Sequence, residues 1–130
     1  MSTHEHHEEL VRGLSDQLQE IFETSEQAIY LYLDDIHKAC NRKFADLLGY
    51  ASPAEWAAVT ESFPQAFVAD TSQPELIEAF QKAIQLKAGS TLSVTWQKKD
   101  GQTVDTTVML VPISFQGHTF ALHFIQAGGD

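Results

Sequence analysis

Residues 28–56 read AIYLYLDDIHKACNRKFADLLGYASPAEW. The first six, Ala28 to Leu33, set aliphatic and aromatic side chains on alternating faces, which is the period of a strand. Asp34-Asp35 is a turn pair, and Ile36 to Cys40 is the returning strand of a hairpin. Asn41 then stands where a helix wants its N-cap. Phe44, Leu47 and Leu48 share one helical face, and Gly49 is placed to end it. A second helix start follows at Ser52-Pro53-Ala54-Glu55, a Ser cap with Pro at the first helical position and Glu at the third. Trp56 and Val59 continue that turn.

Downstream, residues 61–72 have no period and include Pro64 and Asp70. Pro74 opens a longer helix with Leu76, Ile77, Phe80, Ala83 and Ile84 on its apolar face, and Gly89 is its expected stop. The pattern then switches to period two in Thr91–Lys98, Thr103–Ile113 and His118–Gln126, with turns at Asp100-Gly101 and around Gly117. Upstream, Val11, Leu14, Leu18 and Ile21, with Leu10 and Phe22 beside them, form the stripe of an amphipathic helix over roughly residues 7–24. A free-standing coiled coil wants about three or four heptads and this stripe is shorter, so it must be buried on the chain's own sheet or on a second copy. The order predicts an α+β domain: a five-stranded antiparallel sheet with short helices on one face and an N-terminal amphipathic helix. Residues 1–24 are expected to be an acidic tail and a cap or dimerisation helix, 25–127 the domain proper, and 128–130 a tail.

The chain has 130 residues, enough for one domain with a core of its own. It is 43% hydrophobic and 20% charged, a globular balance. Eight bases against 18 acids give a net charge of −10, which speaks against nucleic acid or an anionic membrane as partner. The acids are concentrated: residues 1–35 hold nine of them against the single base Arg12. No apolar run approaches the ~20 residues of a membrane span, and the acidic N-terminus is not that of a signal peptide. A lone cysteine, Cys40, cannot form an internal disulfide and reads as a small buried residue. These features lead us to expect a cytoplasmic protein.

Three segments, in this order, resemble the PAS family of sensory domains. They are IFETSEQAIYLYLDDIHKACNRKFADLLGYASPAEW, with its hairpin, Asn-initiated helix and Leu-Gly-Tyr-Ser-Pro segment; FVADTSQPELIEAFQKAIQLKAG, with an Asp-containing loop and long helix; and VTWQKKDGQTVDTTVMLVPI, with a Lys-Asp-Gly turn. The resemblance covers residues 20–126 and implies a cavity between sheet and helices. Strand alternation assigns candidates to it. Ile29, Leu31 and Leu33 are expected inside, with Leu92, Val94 and Trp96, with Val104, Thr106, Val108 and Leu110, and with Phe120, Leu122 and Phe124; Phe80 and Ile84 close it from the long helix. Thr106 and Trp96 are the only polar groups in that set. No Arg, Lys or His is among them, so a ligand would be apolar or aromatic. Trp96 is also bulky enough to fill much of the space by itself.

The opposite set, with Tyr30, Tyr32, Thr95, Met109, Val111, Ala121 and His123, is too apolar for a wet sheet face. It is expected to lie under the N-terminal helix or a partner. Val11, Leu14, Leu18, Ile21, Tyr30, Tyr32, Met109 and His123 are therefore the candidate dimer interface.

Cofactors are not expected. Haem needs an axial ligand, and residues 61–88 contain neither His nor Cys. The flavin-type relatives use a Cys segment whose counterpart here, Glu61 to Phe67, has none, and Trp96 stands where they carry a flavin-contacting Asn. His4, His6 and His7 are metal-competent by type, but they read as a solvated terminus without fixed geometry. No nucleophile–base pair, phosphate loop or zinc spacing is present, so catalysis is not expected. The resemblance implies a homodimeric signalling module taking a small apolar or aromatic ligand. The alternative is a ligand-free dimerisation and docking module of a larger regulator, with a signalling partner or an effector domain elsewhere.

Overall fold

In the computed structural model, which describes residues 3–127, five antiparallel strands form one sheet in the order β2-β1-β5-β4-β3. The strands are β1 (Ala28–Asp34), β2 (His37–Cys40), β3 (Ser90–Gln97), β4 (Thr103–Phe115) and β5 (His118–Ala127). The helices are α1 (Thr3–Gln17), α2 (Gln19–Thr24), α3 (Arg42–Leu48), α4 (Pro53–Ala57), α5 (Phe63–Phe67) and α6 (Gln73–Leu86), with a 3₁₀ turn at Asp70–Ser72. The tail expected at 128–130 and the side chain of His4 lie outside the described residues.

The decisive segment folds as its caps dictate. Asn41 Oδ1 accepts from Phe44 N and from Ile29 N, both at 3.0 Å, while its Nδ2 donates to Gln27 O. One side chain thus caps α3 and ties it to β1. Gly49 ends α3 at φ 84°, where a Cβ would be strained. Ser52 Oγ accepts from Glu55 N at 3.0 Å, and Glu55 Oε1 accepts from Ala51 N at 2.8 Å, a reciprocal cap on α4.

Three local expectations are corrected. The N-terminal helix starts at Thr3 and breaks at Leu18, so the terminus expected to be a loose tail is helical. The aperiodic stretch 61–72 holds α5 and the 3₁₀ turn, each too short to show a period. The long helix stops at Lys87, in left-handed conformation at φ 54°, not at Gly89. Gly89 serves packing instead, since a Cβ there would sit 3.1 Å from Leu110 O.

The sheet is covered on both faces. Against α3–α6 lies the main core, including Tyr30, Phe44, Trp56, Phe67, Val94, Trp96, Val108, Leu110 and Ile125. On the other face Leu10, Val11 and Leu14 of α1 bury Ile29, Leu31, Phe120 and Leu122, with Leu18, Leu33, Phe115 and Phe124 packed at the edge. The helix covers the β1–β5 half of that face; over β3 and β4 it is mainly polar, with Thr91, Ser93, Asp105 and Thr107 exposed beside Met109.

Face assignment is thereby reversed on two strands. β3 and β4 point as alternation suggested. On β1 and β5, Leu31, Leu33, Leu122 and Phe124 lie under α1, whereas Tyr30, Tyr32 and His123 lie on the helix-bearing side. Alternation gives the period of a strand but not its sign, and here both faces are apolar. The sign comes from register. The β4–β5 turn has two residues, Gln116 (φ 49°) and Gly117 (φ 81°), the pair of positive φ angles of a type I′ turn. It pairs Leu110 with His123 and Val108 with Ile125, so these share a face.

Candidate functional site

A pocket of about 160 Å³ opens between the sheet and α6, lined by Tyr30, Tyr32, Phe63, Pro64, Leu76, Ile77, Phe80, Gln81 and His123. A closed cavity of about this size holds one benzene ring.

The back wall is built by two strand neighbours. Tyr30 and His123 are directly paired across β1 and β5, and their rings stack with centroids 3.9 Å apart at 10°. Both are almost fully buried. Burial drives the His123 pKa down to about 3, against weaker opposing hydrogen bonding of the ring to the Ala121 and Tyr30 backbone, so its imidazole is neutral at ordinary pH. Its Nδ1 is buried with no hydrogen-bond partner. Burial likewise pushes the Tyr30 hydroxyl well above its usual range.

The rim is fixed by the hairpin turn. Tyr32 Oη donates to Asp35 Oδ1 at 2.7 Å, and the same oxygen accepts from Phe63 N at 3.0 Å. Burial, then the bond to Asp35, raises the Tyr32 pKa, so it remains a donor. Phe63 and Phe80 both meet the Tyr32 ring edge-on, with centroids at 5.1 Å. Lys38, on β2, is buried with its ammonium donating to the carbonyls of Asp35, Ala57 and Val59 and lying 5.3 Å from the Trp56 ring. Its charge is thereby satisfied away from the pocket, although burial lowers its pKa.

Of the residues expected in the cavity, Phe80, on α6, lines it. Val94, Trp96, Thr106 and Val108 are on the same side but form solid core beside it. Trp96 Nε1 donates to Thr106 Oγ1 at 2.8 Å, which donates to Val94 O at 2.9 Å. The two polar groups thus satisfy each other and leave nothing for a ligand. Leu31, Leu33, Leu122 and Phe124 are on the far face. Among the residues assigned to a dimer, Val11 and Leu14 are buried against the chain's own sheet and Leu18 is packed at its edge, while Ile21 and Met109 are about half exposed. Tyr30, Tyr32 and His123 belong to the pocket. Sequence reasoning missed them as lining, together with Phe63, Pro64 and Gln81. The two-residue turn at Gln116-Gly117 was the signal that could have found His123.

Cys40 is buried, which pushes its thiol up to about 12 despite an opposing backbone hydrogen bond; it is no nucleophile. Among the described residues no helix is long and apolar enough to cross a membrane.

No family model and no curated protein matches this sequence. Solved structures do match. A PAS domain from a two-component sensor histidine kinase superposes with TM-score 0.67 at 14% identity, over 90% of this chain and 99% of that one. The PAS domain of an HTR-like protein from Haloarcula marismortui gives 0.65 at 21% identity, over 95% and 99%. A light-oxygen-voltage domain studied with a flavin analogue gives 0.67 at 16% identity, over 91% and 90%. The chain therefore has the PAS fold.

Proposed function

We propose that this chain is a sensory module of the PAS type whose pocket between Tyr30, His123 and Phe80 takes one small, uncharged aromatic or apolar molecule. The observation that carries this reading is the pocket itself: ring-sized, walled almost wholly by apolar and aromatic side chains, with no charged group on its lining. A charged ligand would lose its hydration there without a partner. Occupancy would be reported by the elements that carry the wall, β1, β5 and α6. Haem and flavin are not part of the proposal, since the volume accommodates one ring and Trp96 occupies the space beside it.

The test is a thermal-shift and ligand-observed NMR screen with phenol, indole and toluene on the wild-type chain and on Leu76→Trp, which fills the pocket. The expected result is saturable binding and a raised Tm for wild type, lost in the filled variant. No binding of any ring-sized probe to the wild type would overturn the ligand reading.

The second reading is a ligand-free homodimerisation and docking module of a larger regulator. Two large apolar side chains that remain exposed, Ile21 on α2 and Met109 on β4, favour it. Native mass spectrometry separates the two readings. A bare dimer weakened by Met109→Lys supports docking, and a species carrying extra non-covalent mass supports the sensor.

A further inference from the structure

The first turns of α1 meet the β1–β2 turn and the start of β5 in a cluster of imidazoles. His7 Nδ1 lies 3.3 Å from Asp34 Oδ2, and His37 Nδ1 lies 2.7 Å from Asp34 Oδ1. One donor atom from each of the three lies within 4.8 Å of the other two. His118 brings a further ring 5.6 Å from that of His7, and its Nε2 is 3.3 Å from His6 Nε2. Four imidazoles and a carboxylate thus converge from α1, the end of β1, the start of β2 and the start of β5.

We propose that His7, Asp34 and His37 form a site for a divalent transition metal of the zinc class, with His118 the nearest further imidazole. Imidazole nitrogen with one carboxylate oxygen is a ligand set for zinc and its first-row neighbours. In a tetrahedral site with bonds of about 2.0–2.1 Å, adjacent donors stand roughly 3.3–3.4 Å apart. The 3.3 Å contact of His7 to Oδ2 matches that spacing, and the 2.7 Å contact of His37 is to the other carboxylate oxygen. Side-chain adjustment within the 4.8 Å limit would bring one atom of each around an ion. The carboxylate is already aimed, because Asp34 Oδ1 also accepts from Ile36 N at 3.1 Å and His37 N at 2.9 Å. Burial grades across the set, from His37, 5% exposed, through His7 at 24% to Asp34 at 40%, which gives an anchored inner ligand and an entry from solvent. A bound ion would pin the start of α1 to the hairpin and so lock the helix onto the sheet.

The test titrates Co²⁺, then Zn²⁺ in competition, into the untagged, metal-stripped full chain. The expected result is one Co²⁺ per chain, with the intense visible band of low-coordinate N/O ligation, displaced by Zn²⁺. His37→Gln and Asp34→Asn should each weaken binding by about tenfold or more. These variants also separate the site from simple chelation by the terminal histidines, which contains neither residue. Retained secondary structure is checked by circular dichroism. Should His37→Gln fail to fold, His7→Gln on the partly exposed helix replaces it. Absence of a Co²⁺ band in the wild type, or an unchanged band and stoichiometry in the folded variants, overturns the proposal.

Discussion

The imidazole of His123 lies flat against the phenol ring of Tyr30, 3.9 Å between centroids and 10° from parallel. Both rings are buried, and burial keeps the imidazole in its neutral form.

Acid stability should record this. The folded pKa of His123, about 3, lies below the ordinary value near 6.5. Between those values the unfolded chain binds a proton that the native chain refuses, so stability falls as pH drops through that window. One such group contributes a slope of at most about 1.4 kcal/mol per pH unit. Urea melts of wild type and His123→Phe at pH 7, 6 and 5 should give a shallower decline in the variant. Parallel declines would show that the buried imidazole is not the titrating group.

Thr106→Val keeps the shape of the core but orphans the Trp96 indole N–H, which now donates to Thr106 Oγ1. The expected cost is about 1–3 kcal/mol in chemical denaturation. A cost below about 0.5 kcal/mol would mean that this bond contributes little to the packing of Trp96.

Lys38→Met removes a buried ammonium that three main-chain carbonyls accept from. Methionine fills similar volume yet leaves those acceptors without their donor, so a loss of about 2–3 kcal/mol is expected. A neutral or stabilising result would show that the desolvation cost of the charge outweighs its bonds.

Leu14→Ala should destabilise by about 2–5 kcal/mol, because Leu14, on the face of α1 that packs on the sheet, is 3% exposed. Removal of residues 1–24 should go further, baring Ile29, Leu31, Phe120 and Leu122 and raising dye binding and aggregation. A soluble truncated chain that binds no hydrophobic dye would contradict the packing described for α1.

Much of the fold was legible because local chemistry and tertiary structure agree. Asn41, Gly49, Ser52 and Pro53 each act where their side chains or backbone preferences require. The pocket was less legible. Its lining depends on which way β1 and β5 face, and hydrophobicity could not decide between Leu31 and Tyr30 when both are buried. Gln116-Gly117 carried the answer as parity. A two-residue loop joins even positions on β4 to odd positions on β5, so placing Leu110 inside already placed His123 there. The ordering of the histidine-rich terminus was not legible. Its neighbours Asp34, His37 and His118 come near only when the sheet is complete.

A strand is a ribbon one residue thick. On β5 the pocket touches His123, while its chain neighbours Leu122 and Phe124 touch the layer under α1. Two compartments are thus separated by a single peptide backbone, with no intervening relay. Any tilt of the strand that makes room on one side must take room from the other. A reporter dye on α1 would therefore sense the pocket mechanically, through the pivoting of one shared wall.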